Sequence, residues 1–307
     1  MTVFTVHHCT TYRYSKPVLF GDHRLLMRPR DSHDQRFVSH SLVVTPAPAT
    51  LRWGQDMFGN AVATAAFSGR AKALSVISTL QVDHTPATPG IDAIDRYARL
   101  MPFSYEASDL PDLQRTIERH YPDPAHTTAA WARSLLGTDG PTSTLALLTD
   151  MTRRIHRQCT YVGRQEAGIQ PPHETLRLGT GTCRDFAVLM IEAARCLGLA
   201  ARFVTGYIYV APRTGSRTLG GGNTHAWVQV YVPGPGWVDF DPTNNIVGSR
   251  DLIRIASVRE PGQAVPLSGS WSGNAEDFVA MEVSVDVIAD APEMAQDLLQ
   301  TSRTIAR

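Results

Sequence analysis

Cys183 lies in the segment Gly179-Thr180-Gly181-Thr182-Cys183-Arg184-Asp185-Phe186-Ala187, just ahead of an apolar run. The run predicts a helix from about Cys183 to Leu197, stopped by Gly198. Thr182 fits its N-cap, and Gly179 and Gly181 let the chain turn tightly into it. A thiol in the first turn sits beside about half a positive charge from the aligned peptide dipoles, which favours the thiolate. The thiolate is a nucleophile, so the placement suits covalent attack on a carbonyl. The Cys183 backbone N–H would be free to hold the oxyanion that develops. Taken singly, a free cysteine is more often a small buried apolar residue, and that is the whole reading of Cys196 in the same helix.

On a helical wheel Arg184, Asp185, Glu192 and Arg195 fall in one stripe roughly 100° wide, with nearly everything else apolar. The expectation is a mostly buried helix with one narrow wet face. A second element, Thr224 to Val232, alternates with period two. It places His225, Trp227, Gln229 and Tyr231 on one face and Ala226, Val228, Val230 and Val232 on the other. Pro233-Gly234-Pro235-Gly236 then turns the chain into Trp237-Val238-Asp239-Phe240-Asp241-Pro242-Thr243. A hairpin pairing Ala226 with Phe240 and Val228 with Val238 puts His225 opposite Asp241, about 4.5–5.5 Å apart at Cβ. This register demands a tight turn centred on Pro233. A carboxylate beside an imidazole fixes its tautomer and favours its protonated form, the orienting half of a nucleophilic triad. A strand histidine and an Asp-Pro-Thr turn are each ordinary alone; the ordered set of Cys, His and Asp carries the specificity.

The surrounding elements follow from periodicity. Thr2 to Tyr14, Phe37 to Val44, Ala61 to Phe67 and Leu74 to Val82 read as short strands of an antiparallel β-sandwich. Pro86, Pro89 and Gly90 mark a linker. Helices are expected over Leu110 to Tyr121, with Asp109 as cap, Thr127 to Leu136 and Ser143 to Cys159. Strands follow over Phe203 to Val210 and Gly236 to Phe240, a mobile glycine-rich loop over 215–222, a last strand over 277–288 and a short helix over 292–305. The fold class is α+β, divided into a β domain at 1–90, a core at 91–290 and a tail at 291–307.

In this chain of 307 residues Lys plus Arg and Asp plus Glu both number 29, so no global positive field attracts nucleic acid or anionic lipid. With 43% apolar and 19% charged residues the chain can bury a core, which excludes a wholly disordered one. The longest apolar stretch, Phe186 to Ile191, falls far short of the ~20 residues of a membrane span. The first eight residues lack a basic n-region and an apolar h-region, so no signal peptide is expected. Four cysteines without a Cys-x-x-Cys pair suit free thiols in a reducing, cytoplasmic setting. His7, His8 and Cys9 are consecutive in a strand and point alternately to opposite faces, so no metal site is expected. No cofactor motif is present.

The segments 181–187, 198–207, 225–228 and 236–245 together resemble the transglutaminase-like superfamily of papain-type cysteine enzymes, in its bacterial two-domain branch. His8-x-Thr10-x-Tyr12-x-Tyr14 and Asp56-Met57-Phe58-Gly59-Asn60 are similar to the β-rich domain that precedes the core there. The resemblance implies a papain-like core, with Cys183 as nucleophile, His225 as general base and acid, and Asp241 orienting His225. Asp239 competes by parity, but the family pattern places the carboxylate just before Pro-Thr. Tyr161 and Trp227 are the candidate substrate contacts. Arg184 stands where the family often carries Gln, a change expected to leave the chemistry intact. The implied activity is acyl transfer from a peptide or protein carboxamide through a thioester, resolved by water or by an amine. The alternative is a catalytically silent peptide-binding scaffold on the same fold. The residues do not specify an oligomeric state.

Overall fold

The computed structural model describes residues 2–138, 140–163, 168–211 and 221–289. Thr2 onward alternates in burial, with Phe4, Val6, His8 and Thr10 inward, as period two requires. The strand does not stop at Tyr14: β1 runs Thr2–Arg28. With β2 (Gln35–Thr45), β3 (Thr50–Gln55), β4 (Ala61–Ala66) and β5 (Arg70–His84) it forms an antiparallel sheet of order β2-β5-β1-β4-β3. The register of β1 against β5 slips between Arg13 and Val18. The strands expected in two layers belong to one hydrogen-bonded sheet. Tyr14, Val18, Phe20, Leu25, Leu74 and Val76 fill its inside. His7 and His8 point to opposite sides, His8 buried against Tyr207 Oη (2.8 Å) and Thr10 Oγ1 (2.9 Å), with burial lowering its pKa to about 4.

The middle of the chain holds β6 (Leu100–Met101), α1 (Leu110–Ile117), α2 (Thr127–Arg133), β7 (Thr142–Ser143), α3 (Thr144–Gln158), β8 (Thr160–Tyr161), α4 (Pro172–Leu178), β9 (Thr180–Gly181) and α5 (Cys183–Cys196). A second antiparallel sheet follows: β10 (Ala201–Ile208), β11 (His225–Val232), β12 (Gly236–Asp241), β13 (Ile246–Val247) and β14 (Leu252–Val258), in order β13-β12-β11-β10-β14. Ala226, Val228, Val230 and Val232 join Phe186, Ala187, Met190 and Ala194 in one core cluster, so α5 covers the apolar face of β11. Gly206 lets β10 run close to β14: a Cβ there would lie 2.0 Å from Ile253 O and 2.8 Å from Trp227 Cη2. Gly206→Ala is expected to cost at least about 2 kcal/mol, since neither backbone nor a packed indole can give way. An unchanged urea midpoint would show that the strand pair relaxes.

The wet stripe on α5 is corrected. Arg184 is exposed, but Asp185, Glu192 and Arg195 are buried. Glu192 accepts the amides of His120 (3.1 Å) and Tyr121 (3.4 Å) and an Arg195 Nη1 bond (3.0 Å). Arg195 also donates to Glu260 (3.2 Å) and to the carbonyls of Thr116, Ala201 and Arg259. Segments distant in sequence thus replace the water that the stripe was expected to meet. Removing one partner strands the other charge, so Glu192→Ala should destabilise the protein by about 3 kcal/mol in urea unfolding. A loss under about 1 kcal/mol would mean that Glu260 alone satisfies Arg195.

Two further strands, β15 (Leu267–Ser272) and β16 (Phe278–Ala289), pair with β1. The final strand lies within a residue of the expected 277–288, and it pairs with β1 in the first sheet. Asn60 and Gln35 reach from the first sheet to the free edge of β14. Asn60 Oδ1 accepts Ser257 N and its Nδ2 donates to Ser257 O (both 3.0 Å). Gln35 does the same to Arg254 (2.9 and 2.8 Å). Each side-chain amide stands in for the peptide of a missing neighbouring strand. Most of the expected glycine-rich loop and the whole expected helix over 292–305 lie outside the described residues.

Candidate active site

The loop that delivers Cys183 is fixed by a buried carboxylate. Asp185 Oδ2 accepts from Thr182 N and Thr182 Oγ1 (both 2.8 Å), and its Oδ1 accepts from Gln170 N (2.8 Å). Thr182 is the N-cap of α5, as its residue type predicts. Gly179, at φ +64°, closes α4 in the left-handed conformation before the chain enters β9. Cys183 retains 6% exposure at the first position of α5. Its backbone N–H meets no acceptor among the described residues.

His225 opens β11 and Asp241 ends β12, both fully enclosed, with His225 Nε2 and Asp241 Oδ2 2.8 Å apart. The expected register is corrected by two residues: Val228 pairs with Phe240 and Val230 with Val238. Val232 pairs with Gly236, so a three-residue connection replaces the turn centred on Pro233, which is sterically too tight. A shift of two preserves facing, so His225 still meets Asp241, diagonally instead of directly. Burial opposes charge on His225, but the Asp241 carboxylate outweighs it and the neighbouring Cys183 adds to it, raising the pKa to about 10. Asp241 is held below the usual carboxylate range: burial acts against this, and His225, Asn244 and the Thr243 amide prevail. His225 Nδ1 is buried with no hydrogen-bond partner in ordinary geometry among the described residues. The ring is therefore anchored through Nε2, and Cys183 is near enough to favour its charged form by hydrogen bonding and by charge.

Asn244 had no role in the sequence reading. Its Nδ2 donates to Asp241 Oδ2 (2.8 Å), while Thr243 N donates to Oδ1 (2.8 Å). His156 Nδ1 in turn lies 2.9 Å from Thr243 O. The Asp-Pro-Thr-Asn run after β12, with its capacity for Asx-type bonds, was the available signal. Asp185 was legible as well, since Thr-x-x-Asp is capping-box spacing.

The two candidate substrate contacts separate. Tyr161 on β8 is half-buried and interacts electrostatically with Cys183 and Arg184, though burial is the main cause of its raised pKa. Trp227 is corrected: it has no exposed surface to offer a substrate. Its Nε1 donates to Asp239 Oδ1 (2.7 Å) and its ring stacks at 26° beside His225, with centroids 5.9 Å apart. Asp239 thus serves Trp227 and Arg254 (2.9 Å) and leaves the imidazole to Asp241.

Comparison with known proteins gives the family. Residues 4–83 match the bacterial transglutaminase-like N-terminal region, and residues 129–242 match the transglutaminase-like superfamily. An uncharacterized protein of Mycobacterium tuberculosis is 31% identical over 93% of this chain and 92% of its own length. One of Mycobacterium leprae is 24% identical over 94% of this chain and 98% of its own. A solved structure from Cytophaga hutchinsonii, provisionally described as a cysteine protease, superposes with a TM-score of 0.70 at 21% identity, covering 95% of this chain and 92% of the other. Full-length similarity, the two consecutive family matches and the shared α+β architecture make this chain a member of the transglutaminase-like superfamily.

Proposed function

We propose that the protein is a cysteine-dependent acyl-transfer enzyme acting on peptide-like or protein carboxamides. The observation that supports it is the anchored His225 ring, tied to Asp241 through Nε2 and interacting with Cys183 at the tip of α5 by hydrogen bonding and by charge. The sulfur adds to the amide carbonyl and the Cys183 N–H helps hold the oxyanion. The carbon–nitrogen bond then breaks, the leaving amine takes the proton held on His225, and a thioester remains. Water or a second amine resolves it, with His225 now acting as base. Hydrolysis is the favoured outcome. The four unpaired cysteines support a reducing, cytoplasmic setting.

Thiol reactivity tests the reading. Burial pushes Cys159 up to about 11 and raises Cys196, so both remain protonated at pH 6. At that pH iodoacetamide should alkylate Cys183 at least about tenfold faster than either. Equal, slow labelling would favour the silent peptide-binding scaffold. With a proteome-derived peptide pool and added hydroxylamine, mass spectrometry should find hydroxamates at cleaved or exchanged amides in the wild type only. Their ratio to free acids measures the partition between amine and water.

A further inference from the structure

The face of the core sheet turned away from α5 is apolar around Trp227 but polar around Arg202, Gln229, Arg254 and Ser257. A cavity of about 220 Å3 lies between it and the loop after β1, too small for the ~300–1,000 Å3 of drug-sized ligands and much too small for a peptide. Arg30, Arg202 and Arg254 all line it. Their situations differ. Arg254 is neutralised, with Nη1 on Asp239 (2.9 Å) and Nη2 on Asp34 (2.7 Å). Arg202 donates through Nε to Gln229 Oε1 (2.9 Å) and lies 4.0 Å from the centre of the Trp237 ring. Neither of its Nη atoms meets an acceptor among the described residues, and no carboxylate there lies within ion-pair distance of it. Burial and the charges of Arg254 and Arg30 push its pKa down to about 9, with Asp239 opposing. Arg30 stands exposed at the rim, also without an ion pair among the described residues. Asp31 lines the cavity as well, but its carboxylate accepts the Phe37 amide.

A half-sequestered guanidinium with an idle fork, facing a small polar space, lacks the planar anion that such a fork pairs with bidentately. We propose that this cavity is a binding site for a small multiply charged oxyanion, a phosphate or a compact polycarboxylate, held by the Nη atoms of Arg202 and by Arg30. The site is distinct from the acyl-transfer centre: Gln229 shares the His225 face of β11, but none of Cys183, His225 and Asp241 lines the cavity.

Calorimetric titration with inorganic phosphate and with citrate, each against sodium chloride at matched ionic strength, tests it. Saturable binding and a rise of several degrees in the unfolding midpoint are expected for at least one of the two. Whichever binds more tightly identifies the preferred group. Arg202→Gln should weaken binding at least tenfold and Arg30→Gln severalfold, while Cys183→Ala leaves it unchanged. If Arg202→Gln does not fold, Arg30→Gln gives the same readout from the rim. Stabilisation matched by chloride, or binding undiminished in the arginine variants, would overturn the proposal.

Discussion

Cys183→Ala is expected to lower turnover by about 10^4-fold or more, because losing the member that forms the covalent bond costs nearly as much as losing a whole triad. Its unfolding midpoint should stay within a few degrees of wild type, as the lost sulfur is one atom at the edge of the main core. Cys183→Ser keeps the shape but replaces the thiol by a poorly ionised hydroxyl, and should be nearly as inactive. Single-turnover cleavage of a peptide found in the hydroxamate screen, with intact-mass detection of the thioester, separates chemistry from binding. Turnover within tenfold of wild type would rule out a thioester on this sulfur.

Asp241→Asn is expected to cost about 10^3–10^4-fold while leaving the ring in place. The Asn side chain can donate to His225 Nε2, which moves the ring proton to Nδ1. The nitrogen facing the sulfur then carries a hydrogen and cannot take one. The pair also predicts a pH dependence of stability. His225 has its folded pKa raised to about 10, so its contribution is fully present below the unfolded value of about 6.5 and is lost as pH rises through about 10. Asp241 is depressed, so its contribution is present above the ordinary carboxylate pKa and is lost as pH falls through its lower folded value. Urea midpoints at pH 6 and pH 10.5 should therefore fall more steeply for wild type than for Asp241→Asn. Parallel curves would show that the carboxylate does not hold the imidazolium.

What the sequence displayed about this site was local. The helix tip at Cys183, the alternation of β11 and the Asp-Pro-Thr turn each occupy a few consecutive residues, and each lies where its pattern predicts. The register error between β11 and β12 came from the connection, because alternation fixes facing but not which of two same-facing pairings a loop selects. The charged stripe of α5 misled for a different reason. A helical wheel shows which side chains share a face, not that the segments around Thr116, His120 and Glu260 will return to satisfy them. Trp227 erred likewise: its parity was right, but β14 arrived with Arg254 to bury Asp239 beside it. The helix α4 was missed although Pro172 at its start and Gly179 at its end are ordinary boundary signals.

The return of residues 267–289 to β1 bears on how the molecule comes apart. A protease cutting once between Pro86 and Gly90 would sever the backbone without freeing either piece. One fragment would keep β1 to β5, while the other would still have two strands woven into the same sheet, so the halves should co-elute until denaturant parts them. A circularly rejoined chain opened at that cut would face little topological obstacle to refolding.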